Sequence, residues 1–279
     1  MKPPIGRDTM MCMSLSARPG NFGSRFHNHL YDALGIDAVY KSFSTTDLAG
    51  AIGGIRALGI RGCAVSMPFK EAVIALLDDL APSARAIDSV NTIVNDAGRL
   101  TGHNTDYGAV RTLVQRSGIA ADTPFLLRGS GGMGKAVAAA LRDAGQTRGT
   151  IVARNPAAGQ ALAGQYGFGW VAEPADAPEA AMLVNVTPIG MRGGNEGMLA
   201  FPDAMIAQAV LVCDAVAVPA ETPLLTAAAR HGVARITGAE IAVLQALEQF
   251  VLYTGRTPTT AQVAAAAAFA AGNETVSGG

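Results

Sequence analysis

The sequence predicts an α/β protein of two lobes, each a sheet covered by helices. Three observations lead there. Short apolar runs alternate with helical patterns along most of the chain, a glycine-rich turn opens the second series of them, and the last stretch is purely helical. The 279 residues suit one large domain or two modest ones. With 49% apolar and 15% charged residues, the chain reads as well buried rather than disordered.

The first series contains strand-like runs over residues 9–15, 37–43 and 62–67, with helical patterns over 24–35, 45–59 and 70–80. Two more strands flank the turn residues Asp96, Ala97 and Gly98. The second series opens at 123–145 with strand, glycine turn and helix, then continues with TIVARN, a further helix, and the buried strands AMLVNVTP and VLVCDAV. Repeated βαβ units call for parallel sheets. The helical segments 238–256 and 259–272 close the chain and are expected to return to the first lobe. The expected domains are 1–105 with 240–279, and 106–239. The tail NETVSGG reads as frayed.

A formal net charge of −1 and the absence of a basic run argue against nucleic acid as a partner. The three cysteines, Cys12, Cys63 and Cys213, lie in apolar runs without a C-x-x-C pair, which points to inert core thiols in a reducing compartment. The four histidines are scattered, so no metal is expected. The N-terminus lacks a signal-peptide pattern, and the alanine-rich 263–272 is too short to span a bilayer. A cytoplasmic location and no membrane partner follow as expectations.

Residues 129–134, GSGGMG, satisfy G-x-G-x-x-G directly after a strand and at the opening of a helix. Glycines there let the backbone approach a pyrophosphate, whose charge the free N–H groups attract; a purely structural tight turn is the alternative. The next strand ends in Arg154-Asn155 rather than an acid, and a guanidinium suits a 2′-phosphate, so NADP is favoured over NAD. An ordinary surface arginine is the competing reading. Asn185 and Thr187 stand at the carboxyl end of a strand, where open α/β sheets bind ligands, although Thr187-Pro188 also serves as a strand terminator. Asp106 sits at a strand-to-helix junction, a common N-cap position. Asn91 lies inside an apolar run and requires partners, either local or a ligand. Lys70 is the only lysine between Lys41 and Lys135. Pro68 ends the preceding strand, so Lys70 is expected to enter the next helix; the alternative is a stem lying over apolar neighbours.

In this order the pieces resemble the shikimate dehydrogenase family over nearly the whole chain. They are Ser14-Leu-Ser16, Met67-Pro68-Phe69-Lys70, Val90-Asn91-Thr92, Asn104-Thr105-Asp106, GSGGMG, Arg154, NVTPIGM and Gln245. The resemblance implies a substrate lobe that the last helices complete and a Rossmann-like lobe for NADP. It implies catalysis by Lys70 and Asp106, a substrate carboxylate held by Ser14 and Ser16, and further substrate contacts from Ser66, Asn91 and Gln245. The cofactor would be held by Gly129, Ser130, Gly131, Gly132, Met133, Arg154, Asn155, Thr187 and Gly238. Ala64, Ala217 and Ala158 stand where family members often carry asparagine, tyrosine and a second basic residue, and ARPGNFGSRFHN (17–28) is longer than the usual segment. These departures are closer to a shikimate dehydrogenase-like branch. The expected substrate is therefore a cyclic hydroxy-carboxylate: shikimate, quinate or an aminoshikimate-type acid. A non-catalytic nucleotide or metabolite sensor is the alternative from another class. The expected assembly is a monomer or homodimer.

Overall fold

The computed structural model describes residues 2–272, so the 273–279 tail lies outside the described residues. The chain divides into two compact units. One runs to Thr105 and resumes at Val243; the other covers Asp106–Ala242.

The first unit contains, in chain order, β1 (Met10–Leu15), α1 (Phe22–Leu34), β2 (Ala38–Phe43), α2 (Leu48–Ala57), β3 (Gly62–Val65), β4 (Asp79–Leu80), α3 (Pro82–Arg85), β5 (Thr92–Asp96) and β6 (Arg99–His103). Its six-stranded sheet has the order β2-β1-β3-β5-β6-β4. The strands β2, β1 and β3 are parallel, as alternating strands and helices require. The rest of the sheet departs from an all-parallel expectation. The two-residue turn at Ala97 and Gly98, both at positive φ, reverses the chain so that β5 and β6 pair as an antiparallel hairpin, and β5 also runs antiparallel to β3.

The helix expected over 70–80 is also corrected. Only a 3₁₀ turn forms, at Ala72–Leu76, and Lys70 precedes it. Sheet pairing captures the second half of the segment: the Asp78 and Ala81 N–H groups donate to Leu100 and Gly102 carbonyls at 3.0 and 2.8 Å. Tertiary pairing here overrides a helical pattern of apolar residues.

The second unit contains α4 (Thr105–Ser117, whose first residue closes the first unit), β7 (Phe125–Arg128), α5 (Gly132–Asp143), β8 (Gly149–Val152), α6 (Pro156–Tyr166), β9 (Gly169–Val171), β10 (Met182–Asn185), α7 (Asp203–Gln208), β11 (Leu211–Asp214), α8 (Pro223–Arg230) and β12 (Ala234–Ile236). The sheet is wholly parallel, with the order β12-β11-β10-β7-β8-β9. From β7 the chain adds strands in one direction through β9, then in the other through β12. That is the doubly wound order of dinucleotide-binding sheets, with its switch point between β7 and β10. Leu126, Val152, Leu183 and Val212 line one face and pack on Phe201, Ile206, Leu224 and Leu225.

Two helices finish the described chain, α9 (Gly238–Thr254) and α10 (Thr260–Ala271). A reciprocal capping box at Thr259 and Gln262 starts α10. Its Ala266 and Ala270 join Phe250 and Tyr253 of α9 in one core with Phe26, Leu30 and Tyr31 of α1, so the C-terminal helices complete the first unit. Cys12, Cys63 and Cys213 are buried in β1, β3 and β11 with free thiols. Burial pushes the Cys12 thiol up to about 11, and raises Cys63 and Cys213 as well.

Candidate functional site

In the first unit the carboxyl ends of β1 and β3 gather four of the residues singled out above. Ser14 is half-buried in β1, in register with Ser42 of β2 and Ala64 of β3. Ser16, just past β1, is fixed by its N–H on the Phe43 carbonyl at 3.2 Å. Ser66, just past β3, donates its N–H to Leu15 at 2.9 Å and leaves its side chain exposed. Lys70 is half-buried, and its carbonyl accepts the Val90 N–H at 2.8 Å, which ties the lysine to the segment that carries Asn91.

Asn91 is fully buried, and local groups supply its partners. Its Oδ1 accepts the Thr92 hydroxyl and the Thr105 N–H, each at 2.8 Å, while its Nδ2 donates to Thr105 Oγ1 at 3.1 Å. Gln249 of α9 then donates to Thr92 Oγ1 at 3.0 Å. The asparagine therefore pins the end of β6 and the start of α4 to the start of β5. Gln245 is half-buried one helical turn before Gln249, a spacing that puts both on one face of α9.

In the second unit Asp106 lies in the first turn of α4 and is 2% exposed. Unpaired backbone N–H groups make that end of a helix favourable to a carboxylate. The glycine turn connects β7 to α5. Gly129 has φ +121°, and a Cβ on it would lie 2.8 Å from the Val186 side chain. A Cβ on Gly134 would lie 2.5 Å from the Gly129 carbonyl, so the helix approaches the turn more closely than any side chain permits. Ser130 is half-buried, as are Gly132 and Met133 in the first turn of α5. Gly131 differs: a Cβ there meets nothing within 4 Å, and as N-cap it brings no side chain to the helix start. Open space in front of uncapped N–H groups is a cradle that fits the pyrophosphate of a dinucleotide.

Arg154 follows β8 with an exposed side chain. Asn155 is the N-cap of α6, its Oδ1 accepting the Ala158 N–H at 3.2 Å, so helix capping accounts for this residue. Thr187 donates to Asn185 Oδ1 at 2.7 Å and accepts the Ile189 N–H at 3.2 Å. The Asn185 amide reaches Asp214 at 3.0 Å, and that carboxylate also accepts the Thr222 hydroxyl at 2.6 Å and the Val216 N–H at 3.1 Å. Burial pushes the Asp214 carboxyl above the usual range, against the pull of these donors. At Gly238 a Cβ would stand 2.3 Å from the Val216 carbonyl oxygen, so glycine is required where α9 starts against the segment after β11.

Three residues of these networks carry no role in the sequence reading, Thr92, Gln249 and Asp214, and neither does Arg128 at the end of β7. Arg128 and Asp214 had a signal, since each places a charge at the end of an otherwise apolar strand. Gln249 had none, because a glutamine on a helix face looks like a solvated position. Among the described residues no three His, Cys, Asp or Glu converge as metal ligands, and no helix is long and apolar enough to cross a membrane.

Comparison with known proteins agrees with this geometry. Residues 22–93 match the family described as shikimate dehydrogenase substrate binding domain. The shikimate dehydrogenase-like protein of Haemophilus influenzae is 52% identical over 267 residues, covering 95% of this chain and 98% of that protein. The NADP(+) shikimate dehydrogenase of Pyrococcus abyssi is 38% identical over 234 residues, covering 83% and 87%. Among solved structures, the shikimate 5-dehydrogenase of Thermus thermophilus in complex with NADP(H) and shikimate superposes with a TM-score of 0.84 at 30% identity, covering 94% of this chain and 99% of that one. Joined to the doubly wound second sheet and its glycine cradle, a relationship over nearly the whole chain identifies its kin: the chain belongs to the shikimate dehydrogenase family, on its shikimate dehydrogenase-like branch.

Proposed function

We propose that the chain is an NADP-dependent oxidoreductase acting on a CH–OH group, and that it interconverts shikimate and 3-dehydroshikimate or a close analogue. The observation that carries the reading is the glycine cradle at the switch point of the parallel sheet, with Arg154 exposed after the neighbouring strand. In this reading residues 1–105 with 240–279 bind the acid and 106–239 bind the cofactor.

NADP, when bound, supplies the hydride acceptor for the carbon that is oxidised. The cofactor is held by the backbone of Gly129–Met133, by Arg154 on the 2′-phosphate, and by the loops at Thr187 and Gly238. Asn155 supports that loop as a cap. Ser14 and Ser16 hold the substrate carboxylate, and Ser66, Asn91 and Gln245 orient the ring hydroxyls. Lys70 Nζ takes the proton of the reacting hydroxyl as the alcohol becomes a ketone, and returns it in the reverse direction; Asp106 orients that amine. Quinate or an aminoshikimate-type acid is the second reading. Ala64 favours it, because it puts a methyl group in register between Ser14 and Thr92, where family members often carry an asparagine.

The test is a panel of shikimate, quinate and related acids with NADP and NAD, read by formation of reduced nicotinamide. Turnover of one acid with NADP supports the enzyme reading. Tight NADPH binding without turnover of any acid would instead make the chain a sensor. Arg154→Ala is expected to weaken NADP binding about 10- to 100-fold, the loss of a charge-assisted hydrogen bond, with little effect on NAD. Equal losses for both cofactors would remove Arg154 from the 2′-phosphate site.

A further inference from the structure

We propose that Arg128 is a second cation of the 2′-phosphate site and sets the preference for NADP together with Arg154. The proposal rests on the cofactor reading above and names a residue for a charge that the sequence otherwise lacks. A phosphomonoester carries about −1.5 to −2 charges at pH 7, so one guanidinium leaves it incompletely balanced. The first turn of α6 brings no basic side chain, since it reads Pro156, Ala157, Ala158.

Arg128 closes β7 immediately before the glycine turn and pairs in register with Val152 of β8. Arg154 stands two residues beyond Val152, in the bend that follows β8 and leads into α6. Both cations therefore belong to the same carboxyl edge, beside the cradle. Arg128 is half-buried and partly occupied: it donates to the Ala200 carbonyl, and its Nη2 lies 3.6 Å from Glu173 Oε2. Arg128 and Glu173 line a groove with Pro174, Leu199, Phe201 and Pro202, an apolar wall suited to a flat base.

The electrostatics agree with an anion site. Burial pushes the Arg128 guanidinium below its usual range and the charge of Arg154 pushes it the same way, while Glu173 opposes both. Two like charges held at one edge are costly alone and are relieved when a doubly charged anion arrives. A glutamate whose side chain is half-exposed keeps Arg128 oriented in the meantime.

The experiment compares adenosine 2′,5′-bisphosphate with adenosine 5′-monophosphate by titration calorimetry on the full chain. Wild type is expected to prefer the bisphosphate. Arg128→Gln should reduce that preference about tenfold or more, the loss of one charge-assisted bond, with the monophosphate unaffected. Arg128→Lys should keep a larger share of it, and Glu173→Gln, which removes the competing anion, should raise it several-fold. A folded Arg128→Gln protein with the wild-type preference overturns the proposal, whereas loss of the preference in Arg154→Gln alone leaves the NADP reading standing without Arg128. No preference in wild type overturns both. Should Arg128→Gln fail to fold, an unchanged preference in Glu173→Gln is the overturning result.

Discussion

Replacing Lys70 with alanine is expected to lower kcat by about 10²–10⁴-fold, the usual contribution of a positioned acid–base group. The NADPH dissociation constant should stay near the wild-type value. The loop is held in part by backbone bonds, among them the Lys70 carbonyl on the Val90 N–H at 2.8 Å, which survive loss of the side chain. A role confined to the transition state lowers kcat and kcat/KM together, whereas loss of simple substrate binding raises KM alone. Stopped-flow turnover with saturating acid and cofactor separates these cases. Unchanged turnover would exclude Lys70 from proton transfer and leave Asp106 with no partner in the mechanism.

Stability is expected to fall as pH drops below about 6.5, and His27 is the reason. It is buried in the first unit, with its ring stacked on Tyr40 at 4.4 Å and ringed by Phe26, Tyr31, Phe250 and Tyr253. Neither ring nitrogen has a hydrogen-bond partner of ordinary geometry among the described residues. Burial pushes the pKa down from 6.5 to about 3, and the polar Gln249 opposes this only in part. The unfolded chain therefore takes up a proton near pH 6.5 that the folded chain refuses until about pH 3. Stability from the neutral imidazole is complete above that window and drains by about 1.4 kcal/mol per pH unit inside it. His103, half-buried and also lowered, adds a slope of the same sign. The lowered carboxylates Asp78, Asp79 and Asp203 act only below their ordinary value of 3.8. Asp214, whose carboxyl burial raises, contributes a slope of the opposite sign above 3.8. Comparing His27→Phe with wild type by urea unfolding between pH 5 and 7 therefore isolates His27, and the variant should flatten the wild-type slope. Equal slopes in the two proteins would clear His27.

Much of this architecture was legible in the sequence because local and global preferences agree. The strands of both sheets announce themselves as apolar runs, and GSGGMG shows its use of glycine in its spacing. The segment after Pro68 was not legible. Its apolar residues fit a helix as well as a 3₁₀ turn leading into an edge strand, and the deciding hydrogen bonds come from Leu100 and Gly102, distant in sequence. The short β9 and β12 escaped for a related reason: each has only three residues, and their pairing partners define them. At the candidate site the types of residue were readable and their connections were not. Asn91 could be flagged as a buried amide, but nothing local shows that Thr92 and Thr105 bond to it or that Gln249 joins them through the Thr92 hydroxyl.

The three buried thiols bear on how the folded state reacts rather than on catalysis. With their acidity suppressed, they offer almost no nucleophile to alkylating or oxidising reagents while the sheets are intact. Cys12 and Cys63 lie on neighbouring strands of one sheet and Cys213 lies in the other. Each half of the molecule thus carries its own internal clock, started only when that half breathes open.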